Sequence, residues 1–555
     1  MAKPGSNCQI SMQAAQFHDD AAGIPENHWC RLFFEHVFLR FDDAQFTDMY
    51  REGGRYPISP RMLACISILQ FMQPVSDRQA VENTIMRRDW RIALGLTPDY
   101  DGFDPSVLCN FRKRLLAHGK AAELFQTVLQ RVQALGLLKG TRKVRVDATI
   151  LLADVAVLSR CDMISEAMRI VLRELPYMRP KIRRRAEYRS LHERYGEEIW
   201  LGRSEGGDER LKRLAVDAKR VLRLCGPYPV KGRETLERIL EENFTFSDAD
   251  EPTPKPPDAL PPGHIATPHE PDAEIGKQRD KLWTGDKVHV VETTHSGEPG
   301  FLLDVIHTGP RAEDSTMLES ILQRLKFIAP QVTTVLADSG YASAANSGLA
   351  GALGYDLISP PRVNNSKGII PASAFELDFR RRKARCPEGH ESSSWFVGRR
   401  LKIKFPRAVC AACPRRSECT TSPSEPRTLT LSPHSQQLMA DRKRAARADF
   451  GALYSQRAGI EATISHLVRD CGLRRSRYRG SPKRALHAWL SATALNVRRL
   501  LRCLASDDAP WKGAFSVFSR PGWVLRRPPQ GAHEASGGRF FARTARNDLA
   551  ATCSI

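Results

Sequence analysis

Residues 333–343 read TTVLADSGYAS. Thr333–Ala337 is β-branched and then apolar, the pattern of a short buried strand, and it stops at Asp338. Ser339 and Gly340 favour a turn, and the small residues after Tyr341 suit a helix packed close behind. An aspartate in such a place has two uses. It opens a turn by bonding its own backbone, and a strand end also holds a charged catalytic group rigidly. The flanking sequence decides which fold it belongs to. Upstream, DKVHVVETT (286–294) and GFLLDVIHT (300–308) read as two strands joined through the turn-rich HSGEP, a hairpin. DSTMLESILQRLKFI (314–328) carries apolar residues at helical spacing. Downstream, SAANSGLAGALG (343–354) is a small-residue helix ending at Gly354, and YDLISP (355–360) is another strand. Much earlier, KVRVDATILLADV (143–155) alternates Val144, Val146 and Ala148 with charged neighbours, a strand with Asp147 inside it. Strand, hairpin, helix, strand, helix, strand makes an α/β domain whose sheet has helices on its faces and an antiparallel hairpin on one side.

The chain has 555 residues, enough for two to four units. Hydrophobic residues make up 41%, which supports packed cores rather than general disorder. Lys and Arg number 84 against 63 Asp and Glu, a net charge of +21. Nucleic acid is the usual partner of so basic a chain. The alternative, a membrane surface, is disfavoured: no stretch approaches 18 uninterrupted apolar residues, and MAKPGSNCQISMQ lacks a signal-peptide core. The expectation is a soluble cytoplasmic protein associated with the nucleoid.

Residues 25–135 read as a basic helical domain able to bind DNA. SPRMLACISILQFMQ (59–73), SDRQAVENTIMRRDWRIALGL (76–96) and DPSVLCNFRKRLLAHG (104–119) each carry a cap or first-turn proline. An ordinary solvated helix face explains the basic residues of any single helix as well. The α/β domain spans 141–503. It is interrupted by a basic helical and Pro-rich insertion at 158–280, in which DADEPTPKPPDALPPGHIATPHEP (248–271) reads as an extended linker or surface loop, and by a Cys-containing insertion at 361–440. A Gly/Pro/Arg-rich tail, 504–555, reads as loosely ordered.

Asp147 and Asp338 sit on or at the end of separate strands. A third carboxylate comes from the helical stretch ALYSQRAGIEATISHLVRDCGLRRSRYRG (452–480), where Leu453, Ile460, Ile464 and Leu467 mark a buried side and Glu461 borders it. Tyr454 and Arg457 precede Glu461 at helical spacing and share its stripe. Converging carboxylates repel: two unit charges about 4 Å apart cost roughly 4 kcal/mol at an effective dielectric near 20. A cation relieves that. Oxygen ligands without histidine favour Mg²⁺ or Mn²⁺, and a pair of such ions is the usual device for phosphodiester chemistry.

These motifs resemble those of bacterial insertion-sequence transposases of the DDE type, in particular the IS-eleven-eighty-two-like branch, from about residue 50 to 502. RYPISPRMLACISILQFMQPVSDRQAVENTIMRRDWRIALGL and GFDPSVLCNFRKRL look like that branch's N-terminal domain. VDATILLADV resembles the first-Asp motif, ADSGYAS the second, and YSQRAGIE the helix bearing the final Glu; GLRRSRYRG and LSATALNVRRL resemble the closing segment. The resemblance implies an RNase H-like fold, Asp147, Asp338 and Glu461 as metal-binding catalytic triad, and Tyr454 and Arg457 as residues that position the DNA phosphate. It also implies cleavage at terminal inverted repeats, transfer of the freed 3′-OH to target DNA, and two chains working together. Seven residues after Glu461, where the family often has Lys, this chain has Val468 with Arg469 beside it. Where the family often has Gly-Tyr-Lys, it has Gly285-Asp286-Lys287.

Two further constellations stand out. Cys386, Cys410, Cys413 and Cys419, spaced C-x23-C-x2-C-x5-C, form a candidate set for structural Zn²⁺ or a group of reduced thiols that bind nothing. From 457 to 502 eleven Arg or Lys face only Glu461 and Asp470, with Tyr478 interleaved. Within that run Arg469, Arg474, Arg475, Arg477, Arg479 and Lys483 read as a phosphate-tracking surface.

Overall fold

The computed structural model describes residues 21–505 apart from 52–57, 156–157, 198–206, 262, 279–280, 295–299, 362–368 and 433. The HSGEP turn and, from 506 onward, the basic tail therefore lie outside the described residues. The described residues form two compact units, one within 21–137, 151–274 and 465–505, the other within 138–150 and 275–464. Among the described residues no helix is long and apolar enough to cross a membrane.

The first unit is helical. Its centre is the helix Pro60–Met72, every residue of which is buried. The Ser59 hydroxyl accepts from the Met62 amide, so the expected cap and first-turn proline are both present. The long helix Ser481–Leu504 packs against Pro60–Met72 and against Ala121–Ala134. The stretch 76–96 is two helices rather than one: Arg87 takes an extended conformation (φ −104°, ψ 117°) between Asp77–Met86 and Arg88–Leu94, and Gly95 closes the second with φ +62°. Four helices, Arg160–Met178, Ala186–Tyr195, Asp208–Cys225 and Arg233–Asn243, share a separate core that includes Ile164, Val171, Val221 and Ile239.

The Pro-rich segment 248–271 is not a free linker. Pro252–Pro254 pairs antiparallel with Phe244–Phe246. Ile265 and Glu270 are buried, and Glu270 forms an ion pair with the fully buried Arg484 while accepting from the Gly480 amide. Proline removes amide donors but leaves carbonyls and apolar rings free to pack, so proline density alone did not mark this stretch as solvated.

The second unit is built on one mixed sheet. Its strands are β1 (Lys143–Leu152), β2 (Ile275–Gln278), β3 (Lys281–Thr293), β4 (Leu302–Thr308), β5 (Thr334–Ala337) and β6 (Asp356–Ile358). The order is β2-β3-β1-β5-β6, with β4 also paired to β3. β3 and β4 are the expected hairpin, while β1, β5 and β6 run parallel. The helix Asp314–Ile328 links the hairpin to the parallel half and buries Leu318, Ile321, Leu322 and Leu325. Hairpin strands on one side of a central first strand and two parallel strands on the other are the arrangement of an RNase H-like sheet, the fold class expected above.

A smaller module follows β6 in the same unit. It has one two-stranded ladder (Glu376–Asp378 with Lys383–Arg385), one three-stranded ladder (Ser394–Val397, Leu401–Lys404, Thr428–Leu431) and two short helices, Arg407–Ala411 and Arg416–Cys419.

Candidate active site

β1 and β5 pair in parallel with Val146 beside Ala337, so the residues that follow, Asp147 inside β1 and Asp338 just past β5, come to the same level of neighbouring strands. The turn after Asp338 is built by the aspartate itself: its Oδ1 accepts from the Gly340 amide at 2.9 Å and its carbonyl accepts from the Ser359 hydroxyl at 2.7 Å. Turn chemistry is therefore real here, and it fixes the carboxylate rather than replacing its role.

A third carboxylate, which the sequence reading did not single out, stands beside them. Asp314 is the first residue of its helix. A Cβ placed on Gly340 would lie 2.9 Å from Asp338 Oδ1 and 3.0 Å from Asp314 Oδ2. A larger residue here would push these carboxylate ends aside. Asp314 is held by Lys287, whose Nζ donates to Asp314 Oδ1 (3.1 Å) and to the Ala312 carbonyl (2.8 Å). Lys287 is the last residue of the Gly285-Asp286-Lys287 departure. An acid in the first turn of a helix is commonplace, and no local pattern ties 314 to 338, so only the tertiary fold reveals the pair.

Burial pushes the Asp147 carboxyl above its ordinary range. The Arg457 guanidinium and the Ala148 amide oppose that shift, while the charges of Asp338 and Asp314 add to it. Arg457 Nη2 donates to Asp147 Oδ2 at 2.7 Å, and its Nη1 lies 3.9 Å from Glu461 Oε1. One guanidinium thus bridges two of the three sequence-picked acids. Glu461 is 73% exposed, more open than its place beside Ile460 suggested. The reason is local: Ala448–Ser455 and Gly459–Asp470 are separate helices with a 3-10 turn at Gln456–Ala458, so the stripe through Tyr454, Arg457 and Glu461 is not one continuous helix. Tyr454 stacks on Phe450 and keeps its phenol protonated, mainly through burial.

Beneath the acids lies a buried polar chain. Tyr341 OH and His289 Nδ1 are 2.6 Å apart, and His289 Nε2 is 3.2 Å from Thr308 Oγ1. Burial lowers the His289 pKa to about 4, so the ring is neutral near pH 7. Burial, and then the charges of Asp314, Asp147 and Asp338, raise the Tyr341 phenol well above its usual range. A second buried group sets the frame. Glu292 of β3 is fully buried; Arg145 of β1 donates to it through Nε at 2.6 Å and Thr463 through its hydroxyl at 2.5 Å.

The basic run divides. Arg469 and Arg479 are exposed, and Lys483 is partly buried. Arg474 is exposed, and its carbonyl accepts from the Leu152 amide. Arg475 lies 3.4 Å from Asp154. Arg477 is committed to the protein: it donates to the Val75 carbonyl at 2.7 Å and lies 4.8 Å over the Phe71 ring. Tyr478 lies under the Arg112 guanidinium at 5.1 Å, and Arg112 is paired with Asp77. For Arg477, Arg484 and Tyr478, packing explains the residue type without a phosphate.

The four cysteines of the small module all line one cavity, with His390 and Arg427. None is in a disulfide. Among the described residues no three His, Cys, Asp or Glu side chains stand at distances that would hold a metal ion, here or at the acidic site.

The sheet thus carries Asp147 inside β1 and Asp338 immediately after the neighbouring parallel strand β5. A family model described as a transposase DDE domain matches residues 385–501, and one described as a transposase domain of the DUF772 type matches 19–114. The chain is thus similar to transposases over these two segments. Among solved structures, a piggyBac transposase synaptic complex with hairpin DNA aligns over 87% of this chain and 76% of that one, at 10% identity and a TM-score of 0.29, too low to support any inference. No curated protein matches the chain.

Proposed function

We propose that this chain is an insertion-sequence transposase of the DDE type, which binds the terminal inverted repeats of its element, cuts a phosphodiester bond at the end, and joins the freed 3′-OH to target DNA, as a homo-oligomer of the IS-eleven-eighty-two-like branch. The observation that carries the reading is the placement of Asp147 and Asp338 at the same level of paired parallel strands, with Arg457 joining Asp147 to Glu461. The domain at 25–135 and the exposed residues Arg469, Arg474 and Arg479 supply contacts to the DNA backbone.

The donor set suits a hard divalent ion: oxygen ligands only, and an aspartate whose charge is disfavoured by burial and by two neighbouring acids. Asp147, Asp338 and Glu461 would hold Mg²⁺ or Mn²⁺. Such ions lower the pKa of an attacking water and steady the leaving oxygen. The chain's own residues do the remaining work. Gly340 keeps the acids close, Lys287 restrains Asp314, and Tyr454 and Arg457 orient the phosphate next to the strand ends.

The test uses the full chain, Mg²⁺ and DNA carrying the element's ends. Joined products support the proposal. Nicks without joining identify an RNase H-like nuclease, and binding alone identifies an inactive derivative. Asp338→Asn should lower cleavage on the order of 10³-fold, the several kcal/mol expected of a lost metal ligand, while DNA binding stays within a factor of about two. Retained cleavage would overturn the triad.

A further inference from the structure

We infer that Cys386, Cys410, Cys413 and Cys419 bind one structural Zn²⁺ as a tetrathiolate and that this ion, rather than an apolar core, holds the module 370–431 together. The inference is independent of the transposition reading.

The first ground is convergence. The four cysteines come from three separate places in the chain, yet all border a single cavity of about 30 Å³. The second is the backbone at each position. Cys386 opens a tight turn: its carbonyl accepts from the Gly389 amide (2.8 Å), its amide donates to the His390 carbonyl (2.9 Å), and Gly389 has φ +84°. Cys410 lies in the helix Arg407–Ala411, and Cys413 follows two residues beyond its end. Cys419 is the last residue of the helix Arg416–Cys419. A knuckle turn and two short helices presenting thiols are economical ways to aim ligands at one point. Four cysteines form a closed site, the kind zinc uses for structure rather than catalysis.

The third ground is what the module lacks. Its core has six buried apolar side chains, Phe375, Ala384, Leu401, Ile403, Phe405 and Leu429, with Ile370, Leu377, Phe379, Trp395 and Leu431 only partly buried against them. Domains of this size seldom hold together on so small a core and are commonly stapled by disulfides or a metal. The cysteines that pack against this core are not bonded to one another. The fourth ground is electrostatic. Arg427 borders the same cavity, and its Nε is buried with no hydrogen-bond partner among the described residues. Arg427 Nη1 donates to the Cys419 carbonyl at 2.8 Å, and Arg416 Nη1 to the Cys410 carbonyl at 3.1 Å. Two guanidiniums bonded to the backbone of the ligand positions supply countercharge for the net −2 of a Zn²⁺ tetrathiolate, with Glu388 as the one opposing carboxylate among the described residues that line the cavity. The thiols border the cavity without meeting at bonding distance, so binding requires them to close in on its centre.

Metal analysis of the purified full chain tests this. About one Zn²⁺ per chain is expected, with the four cysteines protected from thiol reagents until the metal is stripped. Cys410→Ser together with Cys413→Ser should lower zinc content at least roughly tenfold, whereas Asp338→Asn should leave it unchanged. If the cysteine variants fail to fold, Co²⁺ replacement in the native chain reads the same point: tetrahedral sulfur-to-cobalt charge-transfer bands support the site. A zinc-free chain with four freely reactive thiols, or disulfides among these four in mass spectrometry, would overturn it.

Discussion

The central sheet and the cysteine module belong to the same unit, yet they reach rigidity by different routes. The sheet buries the interior of β1, β3, β4 and β5, with Val144, Val146, Val290, Val305 and Leu336 essentially inaccessible, so its frame needs no ligand to hold Asp147 and Asp338 in place. The module has its six-residue core and four unbridged thiols. Removing a ligand from the first should abolish chemistry and leave the fold. Removing a ligand from the second should loosen the fold and leave the sheet.

The comparison can be broken most forcefully at Glu292. Glu292→Ala leaves Arg145 uncompensated in a buried place, and breaking such a pair costs about 3–5 kcal/mol. Urea unfolding should show that loss in the sheet; a change below about 1 kcal/mol would mean the sheet is not framed by this contact. Chelation of zinc should, by contrast, speed proteolysis within 370–431 and leave hydrogen exchange in β1 and β5 unchanged. Exchange rising equally in both would erase the distinction between the two routes. Gly340→Ala forces a Cβ between two carboxylates and should cost about 1–3 kcal/mol, with cleavage suffering more than stability. Wild-type cleavage in this variant would show that Asp314 and Asp338 need not approach.

pH gives a graded test. His289 titrates at about 4 in the folded chain against 6.5 in the unfolded one, and His487 of the helical unit at about 3. In both cases the unfolded state takes up the proton first. Stability conferred by the neutral rings is complete above pH 6.5 and falls as pH drops towards the folded values. The slope is about 1.4 kcal/mol per unit for each ring, or about 2 kcal/mol each at pH 5. His289→Gln should flatten the acid limb by one ring's share; an unchanged limb would show that this histidine does not set it.

Much of the sheet was legible in sequence because strand periodicity and turn residues are local. The reading found β1 with Asp147 inside it, the hairpin, the helix at 314–328 and Asp338 at the end of β5. What it missed depends on contacts between distant residues. Asp314 meets Asp338 only after two strands and a helix have packed. Arg477 and Arg484 look like surface charge until Gln70, Val75 and Glu270 arrive from more than 200 positions away. The break at Arg87 falls where helix propensity stays good on both sides, whereas Gly459 stands right after the turn at Gln456–Ala458 as a local signal the reading passed over.

Glu292 has one more consequence. Its two oxygens grip the strand that carries Asp147, through Arg145, and the helix that carries Glu461, through Thr463. The carboxylate that sets the bearing of the two halves of the proposed triad is thus one that never meets DNA. A change as small as Thr463→Val, two residues from Glu461 and facing the protein interior, would work like a sight knocked off zero: every part still present, the shot displaced.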